Sequence, residues 1–361
     1  MLNSLLVYVG TYTLGKSEGI YVYRFDVASG GLRFVSKAVG IDNPSFLAFD
    51  NQNQHLYAVN ELKEFEGEPT GTVSAFSVDA GSGELSFLNK KLTHGQDPCY
   101  LMLDKTGRYV LVANYTSGSL CVLPVLDEGY LGDSVDFIQH RGSSVNQQRQ
   151  EGPHAHSIVL DGANRFAYAP DLGLDKVMIY VFDEKNGQLM PNTELWFKAN
   201  CGAGPRHFTF HPNGSYAYLI NELDSTIVTF SYDRGSGSLK EIQTVSALPE
   251  DFSGVSTCAD IHVTASGKFL YGSNRGHDSI VAFRIDQRTG KLSFLDHTST
   301  GGQTPRNFTI DPTDRYLLVA NQDSDSVVTF RIDQQTGMLI GTDEVAEIPM
   351  PVCLRMVFIQ N

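Results

Sequence analysis

The sequence predicts an all-β chain, a seven-bladed β-propeller of four-stranded antiparallel blades with one blade closed by both termini. Three observations predict it: a recurring unit, strand-type alternation inside that unit, and complementary ends. The unit reads NPSFLAFDNQNQHLYAVN from Asn43 to Asn60. It returns as DPCYLMLDKTGRYVLVAN (Asp97 to Asn114), GPRHFTFHPNGSYAYLIN (Gly204 to Asn221) and TPRNFTIDPTDRYLLVAN (Thr304 to Asn321). Weaker copies end at Asp171 and Asn274. Self-similarity at a period of this size signals a repeat architecture. Each copy alternates with a period near two and is rich in Val, Tyr, Phe and Thr, the pattern of strands. No segment carries an apolar stripe of helical period.

The elements follow in order. The N-terminal LLVYVGTY aligns with the second strand of a unit, with Gly10 falling where Asn60 falls, and EGIYVYRFDVASGGLRFVSKAV supplies a third and fourth strand. In the next unit the four strands are expected at Pro44 to Phe49, His55 to Val59, Thr72 to Val78 and Leu85 to Asn89. The last turn of that unit is DAGSGEL, which later units write as DEKNGQL, DRGSGSL, DQRTGKL and DQQTGML, with Gly placed to take φ > 0. At the C-terminus Pro351 to Met356 aligns with Pro305 to Ile310, a lone first strand. The first unit lacks the strand that the last residues supply, so a ring with no open sheet edge is expected. A length of 361 residues would ordinarily suggest two or three domains. A closed ring is the exception, because each unit buries its faces on its neighbours, and residues 1–361 are read as one domain.

Composition narrows the function. The hydrophobic fraction of 41% and aromatic fraction of 11% suit a globular chain with a large core. A net charge of −14 argues against nucleic acid or an anionic membrane as partner. No apolar run approaches the roughly 20 residues of a membrane span. The N-terminus has no basic leader and runs straight into strand-like alternation, unlike a signal peptide. Five cysteines, an odd number with no CxxC pair, point to a reduced, cytoplasmic protein. A monomer or weak homo-oligomer is expected.

Self-alignment locates a site. The start of a blade's first strand and the end of its second share one face, and the first strand is innermost, so its opening residues stand at the mouth of the central channel. Counted five before the turn residue of each unit (Asp50, Asp104, Asp161, His211, Thr264 and Asp311), the column reads Ser45, Cys99, His156, Arg206, Ala259 and Arg306. Four before it stand Phe46, Tyr100, Ser157, His207, Asp260 and Asn307. Ten after it come Asn60, Asn114, Asp171, Asn221, Asn274 and Asn321, and eleven after come Glu61, Tyr115, Leu172, Glu222, Arg275 and Gln322. The Asn column is expected to cap strand ends identically in each blade through side chain to backbone bonds. Packing alone does not require His156, Arg206, His207, Asp260, Glu222, Arg275 and Arg306, and a convergent polar cluster in a concavity is the default site. The long connections, 61–71, 140–154 and 246–258, lie on this same face, where function tends to sit.

Within PHAHS, His154 and His156 have an i, i+2 spacing that could ligate a metal with His207 or Asp260 as a third ligand, but nothing else in the chain has metal spacing. A Ca²⁺ ion held by Asn and acidic groups in the channel is a further possibility. The reading adopted has no metal, with His156 as general acid or base. Ser157 lacks the GxSxG context of a nucleophile.

PHAHS (153–157), GAGPRHFTFHPNGSYAYLINEL (202–223), ADIHVTASGKFLYGSNR (259–275) and PRNF (305–308) resemble the lactonase family of seven-bladed propellers, specifically its bacterial 6-phosphogluconolactonases. The fungal carboxymuconate-lactonizing enzymes are similar in fold and site pattern. The resemblance implies His156, Glu222, Arg206 and Arg275 as active residues, with His154 less weighted because some members lack it. It implies hydrolysis of a phosphorylated sugar lactone without a cofactor. His156 or Glu222 would activate water, Arg206 would stabilise the oxyanion, and Arg275 and Arg306 would hold the phosphate. His207, Asp260 and Asn307 would contact the sugar. The alternatives are a lactone-forming isomerase or lyase and a non-enzymatic interaction platform.

Overall fold

The structure, a computed structural model, describes residues 4–359, which form seven four-stranded antiparallel sheets. Blade 1 comprises Ser4–Thr11, Gly19–Phe25 and Leu32–Val39, with Pro351–Ile359 as its inner strand. Blade 2 comprises Leu47–Phe49, His55–Asn60, Thr72–Val78 and Leu85–Leu92. Blade 3 comprises Pro98–Leu103, Tyr109–Asn114, Ser119–Pro124 and Asp136–Gln139. Blade 4 comprises Val159–Leu160, Phe166–Asp171, Lys176–Asp183 and Gln188–Lys198. Blade 5 comprises Pro205–Phe210, Tyr216–Asn221, Thr226–Tyr232 and Leu239–Ser246. Blade 6 comprises Thr257–Val263, Phe269–Arg275, Ser279–Ile285 and Leu292–Ser299, and blade 7 Pro305–Ile310, Tyr316–Asn321, Ser326–Ile332 and Leu339–Glu347. The terminal closure is the predicted one, with eight paired positions from Ser4↔Ile359 to Thr11↔Pro351.

Boundaries differ from expectation in blade 2. Its inner strand begins at Leu47 rather than Pro44, because Asn43 takes a positive φ of 39° and its carbonyl accepts the Ser45 amide at 2.7 Å, a tight turn. Its outer strand runs on to Leu92.

The core lies between blades. Tyr218 and Ile220 of blade 5, for example, pack with Val281 and Phe283 of blade 6. A second-strand tyrosine ties each of five blades to the next through the carbonyl of a turn glycine: Tyr8 to Gly83, Tyr57 to Gly129, Tyr168 to Gly237, Tyr218 to Gly290 and Tyr271 to Gly337, at 2.6–3.0 Å. Each such buried bond contributes about 1 kcal/mol. Gly290 illustrates why glycine is required there: its φ is +71°, and a Cβ would lie 2.5 Å from the Tyr216 ring.

The Asn column does less uniform work than expected. Nδ2 of Asn60, Asn114, Asn274 and Asn321 donates to the carbonyls of Asp42, Thr93, Ala247 and Thr300, each in the connection leaving the preceding blade. These residues therefore staple neighbours. Asn221 instead donates to the Thr226 hydroxyl. Asp171 has no donor to offer, so His140 supplies one: its Nδ1 lies 2.6 Å from Asp171 Oδ2.

Candidate active site

One irregularity of the inner strands builds the site. In blade 5 Pro205 pairs with Asn221 but His207 pairs with Ile220, which leaves Arg206 on a β-bulge. The same skip falls on Cys99, Arg306 and Val352, and in blade 6 on Ala259 with Asp260. In blade 4 the segment carrying His156 has only the Ala155–Asp171 bridge before the strand proper begins at Val159. Bulges re-aim side chains. Here they turn Cys99, His156, Arg206, Arg306 and Val352, together with Ser45, Glu61, His207 and Asn307, into one narrow cavity at the channel mouth.

Glu222 is the hub of the charged cluster. The residue follows the second strand of blade 5, its amide donating to the Gly204 carbonyl at 2.7 Å. Its Oε2 accepts from Arg206 Nε at 2.9 Å and lies 3.0 Å from Arg275 Nη2, while Oε1 accepts from Arg149 Nη2 at 2.6 Å. His156 Nε2 stands 3.9 Å away. Burial opposes ionisation of this carboxyl, but the charges of Arg275, Arg206 and Arg149 hold it well below the usual carboxylate range. Burial and the facing Arg275 guanidinium bring Arg206 down to about 10, so at neutral pH both members of the pair keep their charge.

Sequence reading missed Arg149. It comes from the 140–154 connection, whose length was the only signal. Buried Asp175 organises that loop: its carboxylate accepts Ser144 Oγ at 2.5 Å and Gln150 Nε2 at 2.7 Å. The same carboxylate accepts the amides of Gly202 and Gly204, directly ahead of the strand bearing Arg206. One side chain thus registers two arginines.

His156 is buried, with Nδ1 3.6 Å from Cys99 Sγ. Burial, then the Arg206 charge, depress its pKa well below 6.5, so the imidazole is neutral. His207 is likewise held at about 4 by burial and Arg206. Arg206 Nη1 can only donate, so His207 Nε2 accepts from it at 3.3 Å, and Nδ1–H donates to Asp260 Oδ1 at 2.8 Å.

Asp260, Asn307 and His154, expected to contact substrate, each hold partners within the protein, and Asn307 also lines the cavity. Asp260 receives His207, the Ile261 amide, His262 Nε2 at 2.9 Å and Asn307 Nδ2, which ties blades 5, 6 and 7 together. Asn307 Oδ1 accepts the Leu354 amide at 2.7 Å and so joins blade 7 to blade 1. His154 stacks on Tyr115 at 4.6 Å and donates from Nδ1 to the Tyr115 carbonyl. The two histidines of PHAHS therefore serve different partners. Among the described residues no three His, Cys, Asp or Glu side chains gather as a metal-binding set.

Arg306 lies over the Tyr12 ring at 5.3 Å, and among the described residues no carboxylate lies within ion-pair distance of it. Nearby Glu61 accepts from the Tyr12 hydroxyl at 2.9 Å and from Ser45 Oγ at 2.5 Å. Arg275 retains a buried Nε with no protein partner. Four guanidiniums, those of Arg149, Arg206, Arg275 and Arg306, thus meet the three carboxyl groups of Glu222, Asp260 and Glu61 at one mouth of an anionic protein.

Residues 6–356 match the model of the lactonase family described as a 7-bladed beta-propeller. The chain belongs to this family. It is 39% identical over 354 residues to a 6-phosphogluconolactonase of Bacillus subtilis, covering 98% of this chain and 99% of that relative. It is 36% identical to a 6-phosphogluconolactonase of Formosa agariphila over 85% of this chain and 86% of the relative. Among solved structures, the periplasmic gluconolactonase of Pseudomonas aeruginosa superposes with a TM-score of 0.93 at 36% identity, covering 99% of this chain and 100% of that one. As a lactonase-family propeller the protein is an enzyme, which sets aside the interaction-platform reading. Among the described residues no helix is long and apolar enough to cross a membrane.

Proposed function

We propose that the protein hydrolyses 6-phospho-D-glucono-1,5-lactone to 6-phosphogluconate, with the bulge-lined cavity as its active site. The observation that carries this reading is the combination of a neutral, buried His156 with four guanidiniums at one mouth. A neutral imidazole can take a proton from water, whereas Glu222, pinned as an anion by three arginines, is a poor proton acceptor and orients them instead. His156 is therefore the base.

The attacking water adds its oxygen to the lactone carbonyl carbon and gives its proton to His156. Negative charge then grows on the former carbonyl oxygen. Arg206 Nη2, for which no protein acceptor stands among the described residues, is the donor suited to meet it, and one such donor in a dry site is worth a factor of about 10²–10³. Arg275 at the rim and Arg306 in the cavity take the phosphate, with Arg149 as an additional contact from the loop. His207, fixed by Asp260, presents its environment to the sugar. The relatives named 6-phosphogluconolactonase support this substrate class. All five cysteines are free thiols, in keeping with a cytoplasmic location.

The test is the disappearance of freshly prepared phosphogluconolactone, compared with unphosphorylated gluconolactone, for wild type, His156→Ala and Arg275→Ala. His156→Ala should lower kcat on both lactones, and Arg275→Ala should weaken selection for the phosphorylated one. Rates equal to buffer for all three proteins would refute the assignment.

A further inference from the structure

Ring opening needs a proton as well as a base. When the bond between the carbonyl carbon and the ring oxygen breaks, that oxygen leaves with the electron pair and must be protonated. The guanidiniums hold their protons too tightly to supply one. His156, which takes the proton of the attacking water, would have to serve both the water and the ring oxygen unless a second group acts as the acid. Three carboxyl groups stand around the channel mouth. Glu222 is held by three arginines, and Asp260 by two histidines and Asn307. Glu61 differs. Among the described residues no cation lies within ion-pair distance of it, and its two contacts are hydroxyls, from Tyr12 and Ser45. It lines the same cavity as His156, from blade 2, with Cys99 of the intervening blade 3 also in the wall.

We propose that Glu61 is a further catalytic residue of this site, the general acid that protonates the ring oxygen as the lactone opens. The proposal rests on the lactonase reading above. In the step, water's oxygen bonds to the carbonyl carbon and its proton passes to His156. The bond from that carbon to the ring oxygen breaks, and the ring oxygen takes the proton of Glu61. The hydroxy acid then ionises, and the proton on His156 returns Glu61 to its acid form through solvent. No oxidant or other reactant is needed.

The surroundings favour a proton on Glu61. Burial raises its pKa, outweighing the lowering by Arg306 of blade 7, Ser45 of blade 2 and Tyr12 of blade 1, while Asp97, ahead of blade 3, raises it further. Two carboxyls at one mouth, one driven down and one driven up, are the pattern by which a site divides acid from base work. A hydroxyl can donate or accept, so Ser45 and Tyr12 serve Glu61 in either state.

Two measurements test it. Glu61→Gln should reduce kcat by about 100-fold or more, with KM changed only a few-fold, and should abolish the fall in kcat that wild type shows as pH rises past the pKa of this acid. Tyr12→Phe should keep most of kcat but move that fall to higher pH, because a hydrogen bond favouring the carboxylate is gone. Independently of any substrate, the infrared difference between wild type and Glu61→Gln should contain a carboxylic acid C=O band at pH values where an exposed glutamate is ionised. An active wild type with an undiminished Glu61→Gln overturns the role alone, and so does a missing acid band. A wild type inactive on every lactone overturns the functional reading beneath it, and the role falls with it.

Discussion

Arg149 Nη2 donates to Glu222 Oε1 across 2.6 Å, although 73 residues separate them and they belong to a surface loop and a blade end. The contact makes the 140–154 connection part of the candidate site. It also means that the carboxylate at the centre is shared by arginines from three places in the chain, of which only Arg149 sits on a segment outside the repeat. Its side chain is 40% exposed against 4% for Glu222, so it is the member free to exchange the carboxylate for an anionic substrate.

Arg149→Met should therefore act on binding. KM for the phosphorylated lactone is expected to rise about tenfold, the loss of one charge-assisted hydrogen bond of roughly 1.5 kcal/mol, with kcat little changed. Half-exposed ion pairs contribute less than about 1 kcal/mol to folding, so the melting temperature should barely move. Equal KM values for variant and wild type would remove Arg149 from the site.

Glu222→Gln should behave oppositely. Arg206 is 2% exposed and loses its charge partner. Stranding a buried charge in this way costs about 3–5 kcal/mol. The expected readout is a lower urea midpoint at unchanged m-value, together with a loss of kcat because the arginines are no longer aimed. A stability equal to wild type would show that the remaining groups repack around the amide.

Much of this was legible in the sequence, and the part that was not has a physical reason. The repeat gave the seven blades and the ring closure, because the alternation of Val, Tyr and Phe fixes which face is buried. The self-alignment placed His156, Arg206, Glu222, Arg275 and Arg306 at one rim. It could not show the bulges, since a skipped ladder position leaves no mark in composition: Arg206 and Cys99 occupy equivalent bulges with unrelated side chains. For the same reason it could not show that Asp260 and Asn307, read as substrate contacts, also join blades through their hydrogen bonds. Arg149 was hidden because a loop has no repeat to depart from.

The buried histidines set an acid limit on stability. His207 is held at about 4 and His156 well below its ordinary 6.5. From pH 6.5 downwards the unfolded chain therefore binds protons at these positions that the folded chain does not. Stability falls with decreasing pH across that window, by at most about 1.4 kcal/mol per pH unit for each histidine. Glu222 and Asp260, both driven down, extend the loss below their unfolded values of 4.5 and 3.8. Glu61, driven up, opposes it, since its contribution is present in acid and is lost as pH rises above 4.5. Urea titrations of His207→Gln should give a flatter profile than wild type between pH 6.5 and 4, and parallel profiles would contradict the assignment.

Closure of the ring predicts asymmetry between cutting and joining the ends. Removing the last ten residues deletes all but the first residue of the inner strand of blade 1, taking away buried Val352, Cys353 and Leu354 and all but one of the eight pairings made with Ser4–Thr11. It also removes the Leu354 amide that Asn307 Oδ1 accepts, so the damage reaches the cavity. An open blade edge is a template for aggregation, and the truncated chain is expected to be insoluble or to melt far below wild type. Because Ser4 pairs with Ile359, a short Gly-rich link can join the ends, with new termini opened in an exposed turn such as that at Gly235. Such a permutant should fold and melt near or above wild type, since loop closure of the strand is already made. A truncated protein with wild-type melting, or a linked permutant that fails to fold, would each contradict closure by this strand.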